Sequence, residues 1–149
     1  MNFCISFGSS RSRQQGVGLI EVLITLLVLS IGLLGLAGLQ LASLRNNQSA
    51  MERSMGVVQS YSIIEAIRAD ADSAKTGRFD LGLEDDPAGN TFPAKSLLMW
   101  RTQLKQNLGD AATGAVSCTA TLCTVTVEWD DSRGLNGDAS QQMTTEVHL

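Results

Sequence analysis

Histidine is almost missing from this chain of 149 residues, with His148 the one example. A histidine general base and a histidine-based metal centre are therefore poorly supplied. Cysteine is scarce as well: Cys4, Cys118 and Cys123 are too few ligands for a zinc site of their own. No nucleophile motif and no glycine-rich phosphate loop occurs. These absences argue against an enzyme and leave no catalytic residues, no metal and no cofactor to assign. Aromatic residues make up 5% of the chain, and no basic patch is interleaved with them. Acids outnumber bases by 15 to 11, for a net charge of −4, which argues against a nucleic-acid partner. There is no internal repeat and no low-complexity tract.

Charge is missing in one place above all. From Val17 to Leu44 the chain runs for 28 residues with a single charged side chain, Glu21. About 20 apolar residues suffice to cross a bilayer. Arg11 and Arg13 precede the run, so the basic-side rule places that end in the cytoplasm and the remainder outside it. A removable secretory signal fits poorly, because its apolar region spans about 7–15 residues, although Gly35-Leu36-Ala37 offers a small-x-small site. A buried helix of a soluble protein fits poorly too, since a helix apolar on every side must be covered on every side. A plain anchor explains the length but not Glu21. A carboxylate in a membrane helix costs about 2.5–3.5 kcal/mol at the centre, less near an end, and reads as functional by default.

The words around that glutamate carry a resemblance. Gly16-Val17-Gly18-Leu19-Ile20-Glu21, the run Leu-Ile-Glu-Val-Leu and the unbroken apolar stretch behind it resemble the processing site of type IV prepilins. In that family a peptidase cuts after the glycine and the apolar helix stays on the mature protein. The resemblance implies cleavage between Gly16 and Val17, N-methylation at Val17, and Glu21 as the fifth mature residue. It implies that Glu21 meets the amine of a neighbouring subunit during assembly. Residues 1–16 would be the leader, residues 17–44 the membrane and assembly helix, and residues 45–149 a periplasmic domain. Val17 stands where the family usually has phenylalanine, and Gly18 where threonine or serine is common. The run from Leu27 to Gln40 and the strand Cys123 to Asp131 look most like minor pilins of the PilV type. That likeness implies a low-abundance subunit that works with other minor pilins and the major pilin, in the inner membrane and then the pilus, to prime assembly and to support twitching motility and adhesion. A pseudopilin of a type II secretion system and a single-pass membrane protein with no fibre are the alternatives.

Beyond Leu44 the pattern predicts that helix continues to about Ala69. Val57, Tyr61, Ile64 and Ile67 form one apolar stripe and Met51, Met55 and Val58 a second, one of them facing the protein's own sheet. Residues 70–94 read as a loop with both prolines, Pro87 and Pro93, and an acidic cluster, Glu84-Asp85-Asp86, that suggests calcium less than it suggests a solvated turn. Residues 95–108 read as a short helix with Leu97, Trp100, Leu104 and Leu108 on one face and Gly109 as its stop. The period then changes to two. Val116, Cys118 and Ala120, then Cys123, Val125, Val127 and Trp129, alternate with polar residues. The two strands are expected to form a hairpin with a loop from Thr119 to Leu122, bringing Cys118 and Cys123 within reach of a disulfide. Residues 130–138 read as a turn-rich connection and Gln141 to Leu149 as a last strand. The expected fold is α+β, pilin-like, with a long N-terminal helix on a small antiparallel sheet.

Overall fold

The computed structural model describes residues 18–134 and 137–149. Helix α1 (Leu19–Ala69) is followed by α2 (Ala71–Lys75), α3 (Phe92–Leu108), β1 (Thr113–Cys118), β2 (Leu122–Trp129) and β3 (Gln141–His148). The chain divides into two compact units, with Leu39 the last residue of the first and Gln40 the first of the second.

Within the first unit, α1 opens where the backbone N–H groups of Glu21 and Val22 donate to the Gly18 carbonyl. The following turns are leucine, isoleucine and valine, all exposed. Two polar side chains in this stretch are satisfied locally: Thr25 donates to the Val22 carbonyl and Ser30 to that of Leu26. Helix continues without a break through Gly32, Gly35 and Gly38, where a side-chain carbon would meet nothing within 4 Å.

The second unit is a three-stranded antiparallel sheet in the order β1-β2-β3, with helices packed on it. Central strand β2 buries Cys123, Val125, Val127 and Trp129 and turns the alternate residues outward, as a period of two requires. Ile63, Ile64 and Ile67 of α1 and Leu97, Trp100, Leu104 and Leu108 of α3 close the core over it. The α3 indole of Trp100 also donates to the Gln59 carbonyl on α1 at 2.9 Å, which fixes the two helices side by side. The long helix on a small antiparallel sheet is the expected α+β, pilin-like arrangement.

The buried stripe on α1 keeps Ile64 and Ile67 of the one expected but differs from it in the rest. It consists of Gly56, Gln59, Ser60, Ile63, Ile64 and Ile67, whereas Val57 is 42% and Tyr61 56% exposed. Met51 and Val58 are exposed too, and Met55 is half-buried against the core. The reason is close approach. Trp129 and Met143 come up beneath Gly56, where a side-chain carbon would already sit 3.4 and 3.3 Å from them. Small residues therefore mark the contact, and a search for large apolar ones rotates the helix wrongly.

Residues 70–94 are more ordered than a loop. Asp70 caps α2 by accepting from the Ser73 N–H, and Leu81 forms an isolated bridge with Val116. Helix α3 begins at Phe92 rather than 95. Thr91 caps it, and Pro93 sits in the first turn, where a missing N–H costs nothing. Strand β1 begins at Thr113, earlier than its alternating pattern, and the hairpin loop is Thr119 to Thr121, since Leu122 already belongs to β2.

Candidate functional site

The sequence singled out two places: the segment around Glu21 for function, and the Cys118 and Cys123 hairpin for a disulfide. Gly16 and Val17, the expected cleavage site, lie outside the described residues, as does Cys4. Glu21 lies in the first turn of α1, where the helix dipole favours a carboxylate. Among the described residues it has no ion-pair partner and no hydrogen bond to its side chain, in contrast to Thr25 and Ser30 a turn or two further on. It is flanked by exposed Leu19, Ile20, Val22 and Leu23. The helix is long and apolar enough to cross a membrane, and none of its most apolar stretch is buried within the subunit. The start of α1 is thus an exposed apolar surface that carries one carboxylate.

Cys118 and Cys123 face each other as directly paired residues of β1 and β2, with Cα atoms 4.1 Å apart, and are joined by a disulfide. Thr119 closes the turn between them. Its N–H and hydroxyl both donate to the Leu122 carbonyl, and its hydroxyl accepts from the Leu122 N–H at 3.1 Å. Asp80 accepts from the Cys118 N–H at 2.7 Å, so the loop before α3 holds the outer edge of the hairpin.

Two charged residues that the sequence did not single out hold the domain together. Arg101 of α3 is buried and donates to the carbonyls of Gly82, Leu83, Asp85 and Gly114. Burial lowers its pKa, opposed by the charges of Asp86 and Asp85. The carbonyls at 82, 83 and 85 are thereby committed to a guanidinium, and the Asp85 carboxylate accepts from the Gly82 N–H at 3.0 Å. That explains Glu84-Asp85-Asp86 as a turn folded around a cationic side chain. Among the described residues no group of three or more metal-ligating side chains occurs.

Asp131 is the second such residue. It is buried, accepts from the Ser49 hydroxyl at 2.7 Å and lies 3.9 Å from the Arg53 guanidinium. It pins the connection between β2 and β3 to α1. Its neighbour Asp130 is held below the usual carboxylate range by hydrogen bonds from the Ser132 side chain and N–H, with a smaller contribution from the charge of Arg133. No local pattern announces Arg101 or Asp131, because their partners are distant in sequence. The one signal available was a charged residue on an otherwise apolar face, as Arg101 is beside Leu97, Trp100 and Leu104.

Residues 11–37 match the prokaryotic N-terminal methylation motif. No curated protein matches the chain, and no solved structure does. The matched segment contains Gly16, Val17 and Glu21 and runs into the exposed apolar part of α1. The chain thus carries a type IV prepilin-like N-terminus, with an apolar helix that fits a single-pass inner-membrane protein, ahead of a domain of pilin-like α+β arrangement.

Proposed function

We propose that this protein is a minor pilin of a type IV pilus. Prepilin peptidase removes residues 1–16, the new amine of Val17 is methylated, and the subunit waits in the inner membrane with its α+β domain in the periplasm. It then enters the pilus with other minor pilins and the major pilin, priming a fibre that serves twitching motility and adhesion. The observation that carries this reading is the methylation motif leading into an apolar run, Val17 to Leu44, whose sole charge is Glu21. In a bundle of such helices a lone carboxylate is costly and a paired one much less so. The amine of Val17 on a neighbouring subunit supplies the pair. Every axial register that separates the two charges is penalised, so Glu21 acts as a ruler for assembly more than as a source of net stability.

Mass analysis of the mature protein tests the first half. Methylated Val17 at the N-terminus supports the pilin, and an intact Met1 returns it to a plain membrane anchor. Deletion of the gene, scored for surface pili and for secreted proteins, tests the second half. Loss of pili is the expected result. Normal pili with lost secretion would assign the protein to a secretion system instead. In Glu21→Gln the subunit is expected to be processed and stored normally but to fall at least tenfold in sheared pili. Incorporation at the normal level would remove the ruler.

A further inference from the structure

The second unit has a groove of about 540 Å³ lined by Leu41, Leu44, Arg45 and Gln48 of α1 and by Ser132 and Arg133 of the β2–β3 connection. Its position along the helix is informative. The apolar run that starts at Val17, long enough to cross a bilayer, ends at Leu44 in the groove, and Arg45 is the first charged residue after Glu21. Leu44, Arg45 and Gln48 then lie in the headgroup zone of the outer leaflet. The donors in the groove divide clearly. Gln48 donates to Glu52, the Ser132 side chain and N–H serve Asp130, and Arg53, a turn and more beyond Gln48, is paired with Asp131. Arg45 and Arg133 form no ion pair among the described residues. Two guanidinium groups without an ion pair among the described residues therefore line one groove beside two leucines, on a domain that is otherwise acidic.

We propose that this groove binds the phosphate headgroup of an anionic phospholipid in the outer leaflet of the inner membrane. Guanidinium groups match phosphate oxygens two at a time, which makes arginine suited to this task. Leu41 and Leu44 take the start of the acyl chain. Asp130 feels the charge of Arg133 but takes its hydrogen bonds from Ser132, so the Arg133 donors stay available to phosphate. The bound lipid fixes the depth at which the stored subunit sits and must be shed when the subunit leaves the membrane. The inference rests on the reading that α1 spans the bilayer.

The test uses full-length protein in nanodiscs of phosphatidylcholine with and without phosphatidylglycerol, with retained lipid counted by native mass spectrometry. Wild-type protein is expected to retain phosphatidylglycerol in preference to phosphatidylcholine. Each arginine near a membrane surface contributes about fivefold, so Arg133→Gln should cut the preference about fivefold and Arg45→Gln with Arg133→Gln should abolish it. Arg68→Gln, which removes the same charge far along α1, should leave it intact. An equal loss in Arg68→Gln would overturn the groove in favour of diffuse charge. Displacement of the lipid by millimolar inorganic phosphate would reassign the site to the free ion and overturn the lipid. Carbonate extraction separates the two readings. Protein that is membrane-integral yet unaffected by Arg133→Gln overturns the groove alone, and protein that never inserts overturns the span and the groove together.

Discussion

At the scale of single residues, the unforeseen features are polar or small groups whose partners lie far off in sequence. Asp131 meets Ser49 across 82 positions, and Arg101 meets Gly82 across 19. Periodicity reports neighbours within a turn or a strand, so it could not place either. It did place Trp100, Leu104 and Leu108 in the core, because their spacing alone puts them on one face. Gly56 misled for a related reason: Trp129 and Met143 press against the helix there, and only the sheet reveals that. Gly114 makes the same point and gives a test. A side-chain carbon on it would collide with the Trp100 ring and lie 3.0 Å from Leu104 Cδ1. Both neighbours are fully packed, so Gly114→Ala has nowhere to relax. The substitution is expected to destabilise the domain by about 1–3 kcal/mol, as overpacking does. A urea titration checks this, and an unchanged midpoint would show that Trp100 can move aside.

At the scale of elements, β2 and β3 were legible because a sheet with one buried face imposes alternation. The start of α3 was not, because Pro93 reads as a breaker until the first turn of a helix is recognised as a place that tolerates it. The cysteine hairpin was legible from spacing alone, and its energetic weight is limited. Cys118 and Cys123 close a short loop, and the chain-entropy relation gives about 2 kcal/mol for one of this size. Beyond the hairpin, β2 is held by Val125, Val127 and Trp129 in the core. The double variant Cys118→Ser, Cys123→Ser is therefore expected to lose about 2 kcal/mol in a urea titration and still show the circular dichroism of the wild type. Collapse of the sheet would mean that the disulfide carries more than this loop. The β2–β3 connection has its own sensitivity, to acid. The Asp130 carboxyl is lowered by Ser132 first and by Arg133 less. A lowered carboxyl contributes order above its ordinary pKa and loses it as pH falls through the lowered folded value. Backbone amide exchange at Ser132 should accordingly be slow at neutral pH. Its protection, corrected for intrinsic exchange, should fall only below the ordinary carboxylate range, and Asp130→Asn should remove that step.

At the scale of the whole molecule, the two units answer to different solvents. The described residues of the first, 18–39, expose leucine, isoleucine and valine all round, and none of them is buried within the subunit. The core cluster of the second begins at Ile63, more than twenty residues past the division at Gln40. The polar contacts that tie α1 to the rest of that unit also begin beyond the division, with Ser49, Arg53 and Gln59. None of these core residues or polar partners belongs to Gly18–Leu39. A chain of Gln40–Leu149 should fold by itself, dissolve without detergent and unfold cooperatively. Its Trp100 and Trp129 fluorescence should report one transition, because both indoles sit in one core. The same midpoint, within a few degrees, is expected for the domain in the full-length protein in detergent. A fragment that melts without cooperativity would show that the apolar segment supports the domain as well as anchoring it. The proposed function requires this agreement, since a subunit that moves from bilayer to fibre changes the surroundings of its helix while its domain must not change.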